Sequence, residues 1–463
     1  MNKNIYLKIV TIVLIVGFYG CDVFDPDPIS DPNNPSVDEV ILNANANQLQ
    51  NLVTGLEQRN RTSTVGAADF TGSFGREFYP MYTSDPRFMA QWLGLADGAS
   101  AETDRSFYQS GQVWVTPYLT VKQANVLIEA IGNTDQVNQE QKNGYLGVAK
   151  TFKAFAYIIP LLTQSEESGI RIDVEEERDP GPFVAFDDAI VQIRALLDEA
   201  STDLNDAGSE FNFSLTSGLE SFNTPAAFIQ LNRAIDARLA IYEGDFAGAL
   251  ESLEEAEPFF ELDSGEDVMN KGAYFVYSGP PGQFNPYYYP PNAETNQILM
   301  VHPSMVDDAE ADDERVDAKF FERDESVSIV SQGTTFSSLY QDNRFMAEAN
   351  TSPFPWLRNE ELILIYAEAN LRQDTPNLVE AVSAINLVRD TWGLPDFVSA
   401  DPAAITDQLL YERRYSLWGE FGHRWLDAKR FDRLDDLPTD GGTIYEYLAR
   451  PLSEVNWDDF SGN

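Results

Sequence analysis

Apolar positions recur at intervals of three and four over most of the chain beyond residue 36, the period of helices with one buried face. Between Gly144 and Leu161 the stripe is Tyr145, Val148, Phe152, Phe155 and Ile159. Between Phe186 and Leu204 it is Ile190, Ile193 and Leu197. A capping box at Ser36-Val37-Asp38-Glu39 predicts a helix from there to about Arg59, and Gln112 to Ile131 reads as another. Thr224-Pro225 caps a helix reaching Glu243. Gly244-Asp245-Phe246, then Ala249, Leu253 and Ala256, supply the turn, the aromatic wedge and the small residues of a tetratricopeptide-like hairpin over about 224–257. A second hairpin covers about 359–390, with Ala367-Glu368-Ala369 in its first helix and Glu380 through Arg389 in its return. Asp401-Pro402 opens the next helix. The pattern predicts a mostly α fold of helical hairpins with long irregular loop insertions.

Two intervals break this rhythm. Gly75 to Gly94 has no clean period and mixes rings with charge: Arg76, Tyr79, Tyr82, Arg87, Phe88 and Trp92. Aromatic faces stack on apolar faces of sugars, and guanidinium forks bind hydroxyls, so Arg76, Tyr79, Tyr82 and Trp92 are candidate ligand-binding residues. The plainer reading makes these rings anchors for a long loop. A loop-rich insertion over about 259–356 contains Phe284-Asn285-Pro286-Tyr287-Tyr288-Tyr289-Pro290-Pro291, which cannot be a helix. Loops inserted between repeat helices commonly lie on a binding face, so Tyr287, Tyr288 and Tyr289 are candidates too. The acidic run Asp307 to Glu314 lacks the glycine and spacing of a calcium loop and reads as a solvated loop.

The chain has 463 residues, enough for a large core, and a formal net charge of -44. That charge argues against nucleic acid and anionic lipid headgroups as partners; an acidic surface also serves solubility in a saline habitat. The single cysteine, Cys21, excludes an intrachain disulfide. Two histidines, His302 and His423, exclude a three-histidine zinc site and read as structural. No metal or other cofactor is expected, and no nucleophile elbow, phosphate loop or His-Glu-x-x-His helix is present.

Tyr411 to Phe431 is the densest mixture of rings and charges. Tyr411, Tyr415 and Trp418 fall on one helical face, and Gly419 and Gly422 loosen the helix before a second run from His423. Asp427 lies three residues from both Arg424 and Arg430, spacings at which one carboxylate meets two guanidinium groups. Spacing alone leaves open a knot of buried charges or an exposed amphipathic helix. The run Glu412-Arg413-Arg414, Glu420, Gly422, His423 to Asp427 and Lys429-Arg430-Phe431 resembles the C-terminal signature of the SusD/RagB family. Within it Glu412, Arg413, Glu420, Arg424, Asp427 and Arg430 are the structural signature. The Ala-Glu-Ala and Asn-x-x-Arg helices and the closing Pro451 to Glu454 are similar to that family as well. The resemblance implies a surface lipoprotein that captures a nutrient, most often a glycan, for a SusC-like TonB-dependent outer-membrane transporter.

The N-terminus fits that implication. Lys3 and Lys8 precede an apolar run, Ile9 to Tyr19, too short to span a bilayer. Gly20-Cys21 resembles the bacterial lipoprotein signal, in which the cysteine is acylated. The expected layout is a signal peptide over 1–20, a lipid-anchored tether over 21–35 rich in Pro, Asp and Asn, and one helical binding domain over 36–463. The protein is then expected at the outer membrane, facing the exterior, as a binding protein rather than an enzyme. Two other readings remain open: a helical-repeat scaffold for peptide or protein, and a glycoside hydrolase working with two of the 75 carboxylates.

Overall fold

The computed structural model describes residues 37–105, 111–174, 180–346 and 349–461. The expected signal peptide, Cys21, the tether and Ser36 lie outside these residues. The first helix, α1 (Val37–Asn43), is short. Asn45 then caps a new helix, α2 (Ala46–Phe74), through a reciprocal box: Gln48 N donates to Asn45 Oδ1 at 3.0 Å and Asn45 N to Gln48 Oε1 at 2.9 Å. The helix expected to stop near Arg59 therefore breaks once and continues to Phe74. Its polar second half reads like a loop, but Thr64 and Thr71 return their hydroxyls to the carbonyls of Asn60 and Ala67, at 2.9 and 2.8 Å. Thr64 and Thr71 are consequently buried with their hydroxyls satisfied.

The interval after α2 holds a strand, β1 (Phe78–Met81), and a short helix, α3 (Arg87–Trp92). Four helices follow, α4 (Thr116–Asn133), α5 (Gln139–Thr163), α6 (Phe186–Asn205) and α7 (Pro225–Glu243), of which α5 from Thr151 and α7 from Leu231 to Ile241 are buried on all sides. Among the described residues α5 alone is long and apolar enough to cross a membrane, but 89% of its most apolar stretch is buried within the fold. The stripe Tyr145, Val148, Phe152, Phe155 and Ile159 lies in the core, as its spacing predicts. Gly244 turns left-handed (φ 86°) and Asp245 caps α8 (Phe246–Glu255), completing the first hairpin.

The second hairpin is α9 (Asn359–Arg372) and α10 (Leu378–Thr391), followed by α11 (Pro402–Ser416), α12 (His423–Arg430) and α13 (Leu452–Ser461). From α4 to α11 each helix packs on the next, so the hairpins form one continuous stack. The fold is mostly α, built of tetratricopeptide-like hairpins.

Residues 259–356 are more ordered than a loop insertion. They hold β2 (Gly272–Phe275), β3 (Ile298–Val301), β4 (Phe320–Ser331), β5 (Thr334–Asp342) and β6 (Phe354–Arg358). Strands β1, β3, β5 and β4 form one antiparallel sheet in that order, and β2 pairs with β6. Phe78 faces Val301, Met81 faces Ile298, and Ser331 faces Thr334 across a turn at Gln332-Gly333 whose φ angles are 47° and 78°. The sheet closes a small second core of Met81, Met89, Met300, Ile329 and Phe336.

The region from α11 to α12 is a buried charge knot, which decides between the two readings of its spacing. Arg413 Nε meets Asp427 at 2.7 Å, and Arg430 Nη2 meets the other oxygen of Asp427 at 2.7 Å. Arg430 also donates to Glu368. Glu412 sits between Arg389 (2.8 Å) and Arg315 (2.7 Å), and Glu420 binds Arg358 at 2.5 Å. Burial pushes the Asp427 carboxyl up, but the Arg413 and Arg430 guanidinium groups outweigh it and hold the group below its usual range. Arg424 does not share this carboxylate, contrary to its spacing. It turns to the Arg76 carbonyl at 2.6 Å instead, because Arg413 from α11 fills the second position on Asp427.

Candidate ligand-binding groove

Helix α2 presents Glu57, Arg61, Val65 and Asp69 four residues apart along one face. The segment from Val276 to Tyr289 runs opposite. Between them lie two open cavities. One, of about 490 Å3, is lined by Arg61, Asp69, Tyr82, Tyr277, Phe284 and Tyr289 among others. The second, of about 370 Å3, is lined by Glu57, Arg61, Thr216, Tyr274, Gln283 and Trp356 among others. Arg61 and Gln283 border both, and a 3.0 Å hydrogen bond from Arg61 Nη2 to Gln283 Oε1 divides them. The two cavities form one groove along α2.

The loop wall is held from behind. Asn285 Nδ2 donates to the Ser352 carbonyl at 2.9 Å, and its Oδ1 accepts from Tyr287 N at 2.8 Å. Tyr287 is buried as the groove's floor; its hydroxyl donates to the Val65 carbonyl at 2.9 Å and its ring lies 5.4 Å from Phe354. Fixed by these bonds, the backbone presents Phe284 at the rim, where 46% of the side chain is exposed. An exposed ring beside half-buried Tyr82, Tyr277 and Tyr289 makes an aromatic wall open to solvent. Tyr82 is steadied edge-to-face by Phe88 at 4.9 Å and Trp92 at 5.7 Å.

The polar groups differ in how they are held. Arg61 donates to the Val276 carbonyl at 2.6 Å and lies 4.9 Å over the Tyr277 ring. Glu57 accepts from the Thr216 hydroxyl at 2.5 Å and from Thr216 N at 3.1 Å; burial raises its pKa against those bonds. Asp69 accepts the N–H of Phe70 at 2.8 Å, and burial raises its carboxyl to about 7.

Of the expected ligand-binding residues, Tyr82, Tyr287 and Tyr289 come together at this groove, from segments two hundred residues apart in the chain. Arg76, Tyr79 and Trp92 do not join them and do not face solvent. Arg76 is buried against Asp440 (3.0 Å) and the Pro438 carbonyl (2.8 Å), and the Tyr79 hydroxyl donates to the same Asp440 at 2.9 Å. His302 Nε2 completes that cluster at 3.1 Å from Asp440, a structural position, as is that of buried His423. Trp92 is 1% exposed, with its ring against Phe70 and Tyr82. Tyr288 is half-buried against the main core. Strand pairing at β1 draws Tyr79 inward, and packing against Phe70, Tyr82 and Phe88 encloses Trp92.

Arg61, Asp69, Tyr277, Gln283 and Phe284 escape a reading of the sequence as ligand residues. The four-residue spacing from Glu57 to Asp69 carries a signal, but only if α2 is extended past Arg59. Among the described residues no group of His, Cys, Asp or Glu is placed to hold a metal ion.

Residues 334–459 match the SusD family. The fold is shared with several solved structures. It aligns with surface glycan-binding protein A from Bacteroides uniformis at a TM-score of 0.67 and 16% identity, over 89% of this chain and 98% of that one. A surface glycan-binding protein A from Bacteroides thetaiotaomicron gives 0.65 at 14% identity, over 90% and 98%. A laminarin-binding SusD-like protein gives 0.62 at 17%, over 89% and 98%. No curated protein matches the chain. The resemblance read from the C-terminal signature is thus met by an independent match over that region and by the fold.

Proposed function

From a SusD-family C-terminal region on a SusD-like fold, we propose that this protein is a cell-surface binding lipoprotein that captures an oligosaccharide or polysaccharide in the groove along α2. The observation that carries this reading is the solvent-open wall of Phe284, Tyr82, Tyr277 and Tyr289 facing a row of polar side chains on one helix. Rings supply stacking on sugar faces at about 1 kcal/mol each, and the planar polar groups supply hydrogen bonds to hydroxyls. Such increments give modest affinity, suited to capture followed by release. The three solved relatives named above, two called glycan-binding and one laminarin-binding, support the ligand class.

Delivery completes the proposal. The protein is acylated at Cys21, tethered by residues 21–35 to the outer membrane facing outward, and the single domain over 36–463 hands its ligand to a SusC-like TonB-dependent transporter. Binding without turnover is the favoured mode. Among the described residues the groove's two carboxylates, Glu57 and Asp69, are twelve residues apart on one helix, hence about 18 Å along its axis. Glycosidic hydrolysis needs a pair within about 5–10 Å.

The test is retardation of the purified full chain in gels containing single polysaccharides, with the Phe284→Ala, Tyr289→Ala double variant beside it. The expected result is retardation by at least one glycan, lost in the double variant at nearly unchanged melting temperature. Retardation that survives the substitutions moves the site elsewhere, and shortening of the glycan makes the protein an enzyme.

A further inference from the structure

We propose that the groove selects a glycan carrying an anionic substituent, a carboxylate or a sulfate ester, which docks on the guanidinium of Arg61. The inference rests on the glycan-capture reading of this groove and goes on to name the ligand's charge. Among the described residues Arg61 is the sole cationic side chain lining either cavity. It pairs with no carboxylate among the described residues; its contacts are the Val276 carbonyl, the Gln283 amide oxygen and the Tyr277 ring.

That isolation is shared with Arg323 and Arg424 but not with Arg76, Arg171, Arg194, Arg238, Arg315 and Arg358, which are ion-paired in a chain where Asp and Glu outnumber Lys and Arg 75 to 31. It is also not forced by position. Glu57 stands four residues earlier on the same helix, the spacing at which a Glu and an Arg pair. Thr216 takes that carboxylate instead, through its hydroxyl and its N–H. Asp69, the other carboxylate of the groove, is eight residues further on, about 12 Å along the axis. The guanidinium is thus half-buried, fixed from two sides and left without a counter-charge.

Of its five N–H groups, two are used by Val276 and Gln283. The others remain for a ligand, and a planar fork of this kind matches carboxylate or sulfate oxygens two at a time. The molecule's charge of -44 opposes a polyanion at long range. Salt at about 0.1 M screens that repulsion beyond roughly 10 Å, while a desolvated contact within the groove is screened much less.

The purified full chain is tested on an array of neutral, carboxylated and sulfated polysaccharides including laminarin, polygalacturonate and dextran sulfate, with carboxyl-reduced and desulfated partners of every acidic ligand that binds. The expected result is binding confined to, or about tenfold tighter for, acidic members, with loss on removal of the acid group; which chemical treatment abolishes binding separates carboxylate from sulfate. Arg61→Gln is expected to weaken the acidic ligand by about tenfold or more, the cost of a charge-assisted hydrogen bond, with Arg61→Lys between. Binding to neutral glycans alone, or acidic binding unchanged in Arg61→Gln, overturns the anionic assignment while leaving glycan capture standing. Binding to no glycan at all removes the capture reading and this one with it. The unsubstituted chain with treated and untreated glycans decides the matter even where a variant folds poorly.

Discussion

Two segments rich in aromatic residues, 75–94 and 284–291, look alike in sequence and differ in what their side chains do. Trp92 is enclosed by Phe70, Tyr82 and Phe88, so Trp92→Ala leaves a cavity the surroundings cannot fill. A loss of about 3–5 kcal/mol is expected, seen as a large fall in melting temperature. Phe284, nearly half exposed, has no such role, and its removal is expected to cost binding and little stability. Equal melting temperatures for the two variants would contradict this division. Asp69 offers a pH test. Its folded value of about 7 lies above the ordinary 3.8, so the fold favours the protonated form. The stability this contributes is full below about pH 4 and is lost as pH rises through 7. Asp69→Asn keeps the neutral form at every pH. The variant's melting temperature relative to the parent is therefore expected to rise between pH 4.5 and pH 8; a pH-independent difference would refute the assignment.

The elements were legible where burial follows a period, and less so where backbone geometry or strand pairing decides. The break at Gly419 and Gly422 was read from glycines alone, and both are left-handed, at φ 67° and 77°. A Cβ at Gly419 would stand 2.7 Å from both Phe78 Cζ and Arg344 Nη2. Gly419→Ala is therefore expected to destabilise by about 1–3 kcal/mol through combined strain and crowding, measurable by denaturant unfolding at unchanged m-value. A neutral effect would mean the α11–α12 junction tolerates repositioning. The β4–β5 hairpin went unread because Glu322 to Glu325 place charge in the middle of β4 and its register shifts between Glu322 and Val327. Alternation is preserved only at the ends, and Gln332-Gly333 is a less conspicuous turn than Asn-Gly.

At the scale of the molecule, charge and the helical stack set the behaviour. A formal charge of -44 on a chain of 463 residues repels itself. Raising salt from about 0.01 M to about 1 M shortens the screening length from roughly 30 Å to 3 Å. The melting temperature is expected to climb over that range; a flat profile would show that buried pairs such as Arg238–Glu361 and Arg413–Asp427, rather than surface repulsion, dominate the electrostatics. The stack also explains the charge knot. Helices α9, α10, α11 and α12 each contribute an acid or a base from one face, through Glu368, Arg389, Glu412 and Asp427. Breaking one member would strand its partner in a dry interior at a cost of about 3–5 kcal/mol.

The sequence by itself determined the helices, their hairpin pairing and the family signature, because apolar spacing, caps and glycine turns are local and act over a few residues. It also marked the region where a groove forms, since Tyr82, Tyr287 and Tyr289 lie in its two irregular intervals. Only the tertiary structure decided which rings face solvent. Strand pairing drew Tyr79 inward, core packing enclosed Trp92, and the anchoring of Asn285 to Ser352 turned Phe284 outward. It likewise decided that Thr216, from a distant loop, takes Glu57 and leaves Arg61 without a carboxylate partner among the described residues. Exposure and counter-charge depend on what arrives from elsewhere in the chain, and no local pattern encodes that.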